Sequence, residues 1–426
     1  MTIAVFLISL MGSVLIGAPI AFALLLSSLA MMVHLHAFDT IILAQNMIAG
    51  ADNYSLLAIP FFVLAGEVMN AGGLSMRIVE LPLKLVGHRP GGLGYVAIIA
   101  TVLMASLSGS AIADTAAVAA LLIPMMNKAG YPLNRSAGLI ASGGIIAPII
   151  PPSIPFIVFG VAGGVSITRL FFAGIVPGLM MGTALLLVWT WQSRRMKLEL
   201  RPKASRQEIM RTLRSSCWAL MLPVIIIGGF RLGIFTPTEA GAVAAVYAIF
   251  VSVVVYREIS LRQFPELFLA ASRTVAVVMF LIAASSVTGY LMALADLPNT
   301  VIEVLSPLIG SPTLLIIVIM IFVFLVGMVM DLAPSILILV PVLMPIIEEA
   351  GINPVYFGVL FVVNGSIGMI TPPVGNVLNV ISGVAKVKFE EVVKGELPYL
   401  CAHVVVLALL IAFPKLVTVP LRFFLR

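Results

Sequence analysis

Two proline pairs lie deep inside apolar runs of this chain, separated by 221 positions. The first ends the stretch Gly143-Gly144-Ile145-Ile146-Ala147-Pro148-Ile149-Ile150-Pro151-Pro152. The second ends Asn364-Gly365-Ser366-Ile367-Gly368-Met369-Ile370-Thr371-Pro372-Pro373. Proline removes a backbone donor and its ring clashes with the preceding turn, so neither stretch continues as a regular helix. At membrane depth a broken backbone is tolerated only where it is buried in protein or lines a cavity. Paired interruptions in the two halves of an apolar chain point to a transporter binding site.

Composition fixes the surroundings. The 426 residues are 61% hydrophobic and 10% charged, and the mean hydropathy is +1.19. Soluble domains carry about 25% charged residues, so the chain reads as a polytopic membrane protein in a lipid bilayer. Its net charge of +6 is local, and no stretch resembles a nucleic-acid patch. Cys217 and Cys401 fall in apolar segments and read as inert core residues. No basic region precedes the first apolar run, which reads as one transmembrane helix to about Val33 rather than a cleaved signal.

Apolar runs of about 20 residues are candidate spans. They lie near 2–33, 55–71, 133–162, 170–192, 215–233, 236–256, 268–294, 354–382 and 397–414. Two longer regions, 91–128 and 311–349, are split midway by Ser106-Leu107-Ser108-Gly109-Ser110 and Gly327-Met328-Val329-Met330-Asp331. Each reads as a re-entrant hairpin preceding a broken helix (133–162 and 354–382). Between the halves, 194–214 holds eight basic residues, Lys197 and Arg201 among them, against Glu199 and Glu208. The positive-inside rule places that loop in the cytoplasm. The mixed-charge segments 73–88 and 386–396 read as interfacial helices.

The organisation is therefore a first repeat over 1–193, the loop 194–214, and a second repeat over 215–426 that ends in a helix at 397–414. Between 122–177 and 343–398, 12 of 56 aligned residues are identical, and seven of these are Gly or Pro. Leu matches carry little weight in an apolar chain. Matches at backbone-determining residues mean that the same breaks recur. If the halves insert in opposite orientations, the two tips meet near the midplane.

Tips and breaks offer carbonyls and small hydroxyls together. They are Ser106, Ser108, Ser110, Gly143, Gly144 and Pro148 in the first half, and Gly327, Asp331, Asn364, Gly365, Ser366, Thr371 and Asn376 in the second. Such oxygens suit a hard cation, and half-helix N-termini suit an anion. The combination points to cation-coupled transport of an organic anion. The plainer reading is that Gly and Ser merely permit close helix packing. Asp114 and Asp331 are the acids nearest the tips, where proton coupling or simple helix capping are both open. They do not align, since Asp114 matches Ser335 and Asp331 matches Ser110. Glu67, Asp296 and Glu239 read as solvated span ends, and Arg135, Arg231 and Arg273 as snorkelling. The four histidines have no ligand spacing. No metalloprotease, nucleophile-elbow, dinucleotide or Walker motif occurs, which argues against an intramembrane enzyme and against direct ATP hydrolysis. A channel with doubled hairpins is the remaining rival.

Five segments occur in order: Leu56-Leu57-Ala58-Ile59-Pro60-Phe61-Phe62, Ser108-Gly109-Ser110, Pro151-Pro152-Ser153, Thr236-Pro237-Thr238-Glu239-Ala240 and Ile367-Gly368-Met369-Ile370-Thr371-Pro372-Pro373-Val374-Gly375. Together they resemble the large membrane subunit of tripartite ATP-independent periplasmic (TRAP) transporters along essentially the whole chain. Within that family, Phe62 to Glu67, Leu85 to Tyr95 and Val374 to Lys386 look most like subunits serving 2,3-diketo-L-gulonate uptake. The resemblance implies an all-α elevator fold of the ion-transporter superfamily. Two inverted repeats would each contribute a re-entrant hairpin and an unwound transmembrane helix. It implies Na+ as coupling ion and no organic cofactor. It implies a separate four-helix small subunit, a periplasmic substrate-binding protein and a bacterial inner-membrane location. On this sequence the Na+ positions would be Ser106, Ser108, Gly109, Ser110, Gly143, Gly144, Pro148 and Pro151, then Gly327, Met330, Asp331, Asn364, Gly365, Thr371 and Pro372. Substrate positions would be Ser110, Asp114, Pro152, Ser153, Pro373 and Asn376. The substrate class would be a sugar acid or a C4-dicarboxylate.

Overall fold

The computed structural model describes residues 2–196, 198 and 202–424. Lys197, Glu199 and Arg201 of the basic loop lie outside the described residues. Among the described residues every regular element is helical, and eight helices are long and apolar enough to cross a membrane. The chain opens with α1 (Thr2–Leu15), α2 (Ile20–His34), α3 (Thr40–Ala51), α4 (Ala58–Ala71) and α5 (Leu74–Val86). A hairpin follows, α6 (Gly92–Ser108) and α7 (Ala111–Lys128), then a helix interrupted into α8 (Leu133–Gly144) and α9 (Ile154–Ala162), then α10 (Ile167–Ser193). The second half runs α11 (Arg206–Arg231), α12 (Pro237–Phe250), α13 (Phe264–Leu294) and α14 (Leu297–Ile309). Its hairpin is α15 (Pro312–Gly327) with α16 (Leu332–Glu349). The second interrupted helix is α17 (Pro354–Gly368) with α18 (Asn376–Ala385), followed by α19 (Phe389–Ala412) and α20 (Lys415–Phe424).

Caps explain several of these boundaries. Thr236-Pro237-Thr238-Glu239 starts α12 as a capping box with proline at the first helical position, which satisfies two otherwise orphaned donors. Ser205 and Glu208 do the same for α11. Ser110 and Asp331 stand 221 positions apart and cap α7 and α16 through their side chains. The doubled signature thus recurs as doubled geometry.

Three expectations fail here. The apolar run to Val33 is two helices rather than one, because Gly17 turns the chain at φ +87° and Pro19 starts α2. Segment 386–396 is no surface helix. From Phe389 it belongs to the 24-residue α19, whose buried stripe Val392, Gly395, Glu396, Tyr399 and His403 follows a three-to-four spacing. Cys217 and Cys401 are exposed on helix flanks instead of packed in the core.

Helices α2, α3 and α4 pack on α13, α4 also packs on α12, and α5 packs on α11. The hairpins and interrupted helices form a second group whose repeats interleave. The returning arm α7 packs on α18 of the other half, and α16 packs on α9. Likewise α19 packs on α8 and α10 on α17. Fully buried Phe159 meets Phe357 and Phe361 across the halves, with centroids 6.0 and 5.8 Å apart. Lipid tails are as apolar as leucine, so such contacts hold by close packing rather than by water exclusion. Each aromatic pair contributes about 0.5–1.5 kcal/mol beyond its buried area.

Candidate functional site

At the first tip α6 ends in Gly109, which adopts φ +62° and lets the chain double back. A Cβ placed there would stand 2.6 Å from the Pro152 carbonyl oxygen and 3.1 Å from Ser153 Cα, so only glycine fits against the first break. Ser108 Oγ donates to Asp114 Oδ1 at 2.5 Å and accepts from the Ser110 amide at 3.1 Å. Ser110 Oγ in turn accepts from the Ala113 amide. The pair fixes the turn and orients the first turn of α7.

Behind this tip lies the first break, whose Pro151–Pro152 peptide is cis. Ser153 donates to the Pro148 carbonyl and accepts from the Phe156 amide, which caps α9. Gly143 and Gly144 sit beneath Thr101 and Thr115 of the hairpin arms. Ser106 donates to its own helix at Leu103.

The second tip repeats the plan with the chemistry exchanged. Asp331, aligned with Ser110, caps α16 by accepting from the Leu332 amide at 2.8 Å. Ser335, aligned with Asp114, donates to the Asp331 carbonyl. Gly327 meets Gly368 backbone to backbone. The Met330 amide stays in the hairpin turn, on the Val326 carbonyl. Asn364 donates to the Met320 carbonyl at 2.6 Å, tying α17 to α15. Gly365 packs under Leu332, and Thr371 donates to Ile367. The Pro372–Pro373 peptide is also cis. The Val374 amide reaches the Met328 carbonyl at 3.3 Å, joining break to tip. Asn376 begins α18 after Gly375.

A cavity of about 320 Å³ opens between the tips. Its wall includes the first turns of three helices: Ala111 to Ala113 of α7, Ile154 and Pro155 of α9, and Leu332 and Ala333 of α16. Amides in a first turn have no carbonyl within their helix, and the helix dipole adds positive potential there. Ser108, Gly109, Ser110 and Asp331 complete that side, with Met369 from the second break. The rest of the lining comes from outside the hairpins and interrupted helices: Phe62, Val63, Gly66, Glu67 and Asn70 of α4 with Thr274 and Val278 of α13. None of the described lining residues is Arg, Lys or His.

Of the positions expected from sequence, Ser108, Gly109, Ser110 and Asp331 line the cavity. The others do not reach its surface. Ser106, Asp114, Gly143, Gly144, Pro148, Pro151, Pro152 and Ser153 lie behind the first tip. Gly327, Met330, Thr371, Pro372 and Pro373 belong to the second tip and break, whereas Asn364 and Gly365, expected in the unwound stretch, lie in the last turns of α17 and Asn376 opens α18. Glu67, read from sequence as a solvated span end, faces the cavity half-buried instead. Asn70 and Thr274 were missed as well. Their one sequence signal was a three-residue spacing from Glu67 to Asn70, which a helix turns to one side. Buried oxygens without a hydrogen-bond partner cluster near the breaks: Asp114 Oδ2, Thr115 Oγ1, Ser142 Oγ, Asn364 Oδ1 and Ser366 Oγ. Among the described residues no group of three or more His, Cys, Asp or Glu is assembled.

Ser108→Ala removes the donor to Asp114, whose other oxygen already lacks a partner. An unsatisfied buried acceptor costs about 1–3 kcal/mol. We expect a lower melting temperature for the purified protein, with Ser108→Thr close to wild type.

A family model described as "Tripartite ATP-independent periplasmic transporter, DctM component" matches residues 7–416. The chain belongs to this family. Over 422 residues, 99% of each chain, it is 60% identical to the 2,3-diketo-L-gulonate TRAP transporter large permease protein YiaN of Escherichia coli (strain K12). It is 38% identical over 405 residues, 95% of each chain, to the sialic acid TRAP transporter large permease protein SiaM of Vibrio cholerae. Among solved structures it shares its fold with the YdaH transporter of Alcanivorax borkumensis. The TM-score is 0.64 at 14% identity, covering 88% of this chain and 87% of that one. The all-α polytopic transporter fold read from the sequence therefore holds, and the chain is a TRAP large permease rather than an enzyme.

Proposed function

We propose that this permease imports a hydroxylated organic carboxylate of the 2,3-diketo-L-gulonate class together with Na+. The substrate would arrive on a periplasmic binding protein, and a separate small membrane subunit would accompany the permease in the bacterial inner membrane. The family's tripartite description supports two partners, and the 60% identity to YiaN supports the substrate class.

The charge of the tip cavity carries the coupling. Three helix N-termini face it, which suits a carboxylate, yet Glu67 and Asp331 also line it with no cationic side chain. An anion entering such a space adds negative charge to two carboxylates in a poorly screened site. Cations that enter with it remove that penalty. Na+ takes oxygen ligands, and the break carbonyls, Thr115 Oγ1, Asn364 Oδ1 and Ser366 Oγ supply oxygens next to both tips. Those breaks are the stretches 145–153 and 369–375, with Asn364 and Ser366 in the last turns of α17 just before the second.

Transport would follow an elevator. The hairpins and interrupted helices, two repeats of opposite orientation, would slide as a body along α4, α12 and α13. Bound Na+ would hold the tips closed on the substrate. A ligand shifts such an equilibrium only by its differential affinity for the two states, so Na+ sites assembled by closed tips supply the bias.

The test is uptake of radiolabelled sugar acids and C4-dicarboxylates into proteoliposomes holding the permease, its small subunit and external binding protein. Sugar-acid uptake that needs both the binding protein and an inward Na+ gradient is the expected result. Uptake that persists in K+ and follows a pH gradient would instead make Asp114 or Asp331 proton carriers. Flux that does not saturate would replace the carrier with a channel.

A further inference from the structure

We propose that Glu67 and Asn70 form a selectivity wall that binds the substrate's hydroxyl groups and turns away a second carboxylate. The inference rests on the import reading above and names the recognition chemistry of the same cavity.

Helix α4 meets the first tip directly: a Cβ on Gly66 would lie 3.6 Å from Ser108 Cβ. Glu67 and Asn70 flank that contact on α4 and line the same cavity as the three first turns, from a different helix. The two groups offer different chemistry. The Ala113 and Phe156 amides are taken by the Ser110 and Ser153 caps and Pro155 has none, which leaves the Ala111 and Ile112 amides of α7 and the Ile154 amide of α9 as donors under positive potential that can take a carboxylate. The Glu67 carboxylate has no hydrogen bond or ion pair among the described residues, so its oxygens are free to accept. Asn70 Oδ1 is engaged by Ser75 at 2.6 Å, which leaves the amide hydrogens as its free function. Thr274 Oγ1 points its hydrogen at the Ala270 carbonyl of its own helix at 3.4 Å. The wall is thus one anionic acceptor beside one donor pair.

That pairing matches neighbouring hydroxyl and carbonyl oxygens on a carbon chain. A hydroxyl donates to Glu67 and an oxygen accepts from Asn70, while the terminal carboxylate rests on the free first-turn amides of α7 and α9. A cavity of about 320 Å³ lies at the small end of ligand sites, about 300–1,000 Å³, which leaves room for one short chain reaching both groups. A dicarboxylate in the same pose sets its second carboxylate against Glu67. The wall gains nothing from it and repels it, so selectivity comes from a built-in clash as well as from attraction. Asp331 lies on the tip side and caps its own helix, and Arg273 beside Thr274 is not among the lining residues.

The experiment measures binding without the periplasmic protein, so that protein's own preference cannot mask the wall. Permease with its small subunit is placed in nanodiscs with saturating Na+. Labelled 2,3-diketo-L-gulonate is bound and then competed with gluconate or succinate. Wild type should bind the sugar acid and resist succinate. Glu67→Gln keeps the shape and removes the charge. It should weaken sugar-acid binding and make succinate about tenfold more effective as a competitor, in line with sites that lose a polar discriminator. Asn70→Ala should weaken the sugar acid without helping succinate. Unchanged sugar-acid to succinate preference in a Glu67→Gln protein of wild-type melting temperature overturns the wall and leaves the import reading standing. Wild-type protein that binds none of the three carboxylates overturns the import reading and the wall with it.

Discussion

Gly109→Ala will lose nearly all substrate uptake, whereas Gly130→Ala will stay near wild type. Both glycines have positive φ, +62° and +75°, and a side chain at such an angle costs about 1–2 kcal/mol. Their surroundings differ. Around Gly130 nothing lies within 4 Å, so alanine there meets only the backbone cost. At Gly109 the new methyl group would stand 2.6 Å from the Pro152 oxygen and 3.2 Å from the Ile154 nitrogen. These are backbone atoms that no rotamer change removes. Overpacking adds about 1–3 kcal/mol. The sum of about 3 kcal/mol lowers the seated tip roughly a hundredfold, at about 1.4 kcal/mol per decade. Initial uptake rates in proteoliposomes, normalised to folded protein by gel filtration, check this. A Gly109→Ala rate within threefold of wild type would show that the first tip need not seat on the first break.

The second large effect falls on the other tip. In Gly368→Ala the methyl group would sit 2.5 Å from the Gly327 carbonyl carbon and 2.8 Å from its Cα and oxygen. That overlap separates the end of α15 from the end of α17, where the Val374 amide joins Met328. Gly383, in α18 with open space around it, is the matched control, and alanine there should be harmless. On the Na+ coupling proposed above, overpacking of about 1–3 kcal/mol taken from the closed tip should raise the Na+ concentration for half-maximal uptake by roughly tenfold or more. An unchanged Na+ response in Gly368→Ala would remove the second tip from the proposed coupling site.

What the sequence revealed was what the backbone dictates. The unwound stretches, 145–153 and 369–375, are shorter than the expected 143–152 and 364–373, because Gly143, Gly144 and Asn364 to Gly368 stay in α8 and α17; what remains unwound has a local reason, since each proline pair removes two backbone donors. Ser110 and Asp331 were legible as tip residues because side-chain caps act within three positions. Residues whose role depends on a neighbouring helix were not legible. Glu67 is a lone acid near the end of an apolar run, and nothing in the run says that a hairpin tip will arrive beside it. Glu396 was misplaced for a related reason. Its neighbours Glu390, Glu391 and Lys394 suggest a water-facing segment, yet the Glu396 backbone packs against Gly138 of α8. The spacing of Val392, Glu396, Tyr399 and His403 could have shown that stripe. The Gly17 to Pro19 break lay within reach as well, since it uses the same two residue types as the deeper ones.

The exchange of arms between halves bears on how such a chain could arise. Helix α7 finds its partner in α18, and α16 finds its partner in α9. A half-length ancestor with one hairpin and one interrupted helix would have left the flank of its own short half-helix bare. A second copy, laid against the first, covers both flanks at once. Duplication and fusion would then preserve an obligate pair rather than invent one. By the same logic, the chain cut in the 194–214 loop should yield active permease only when both pieces are made together.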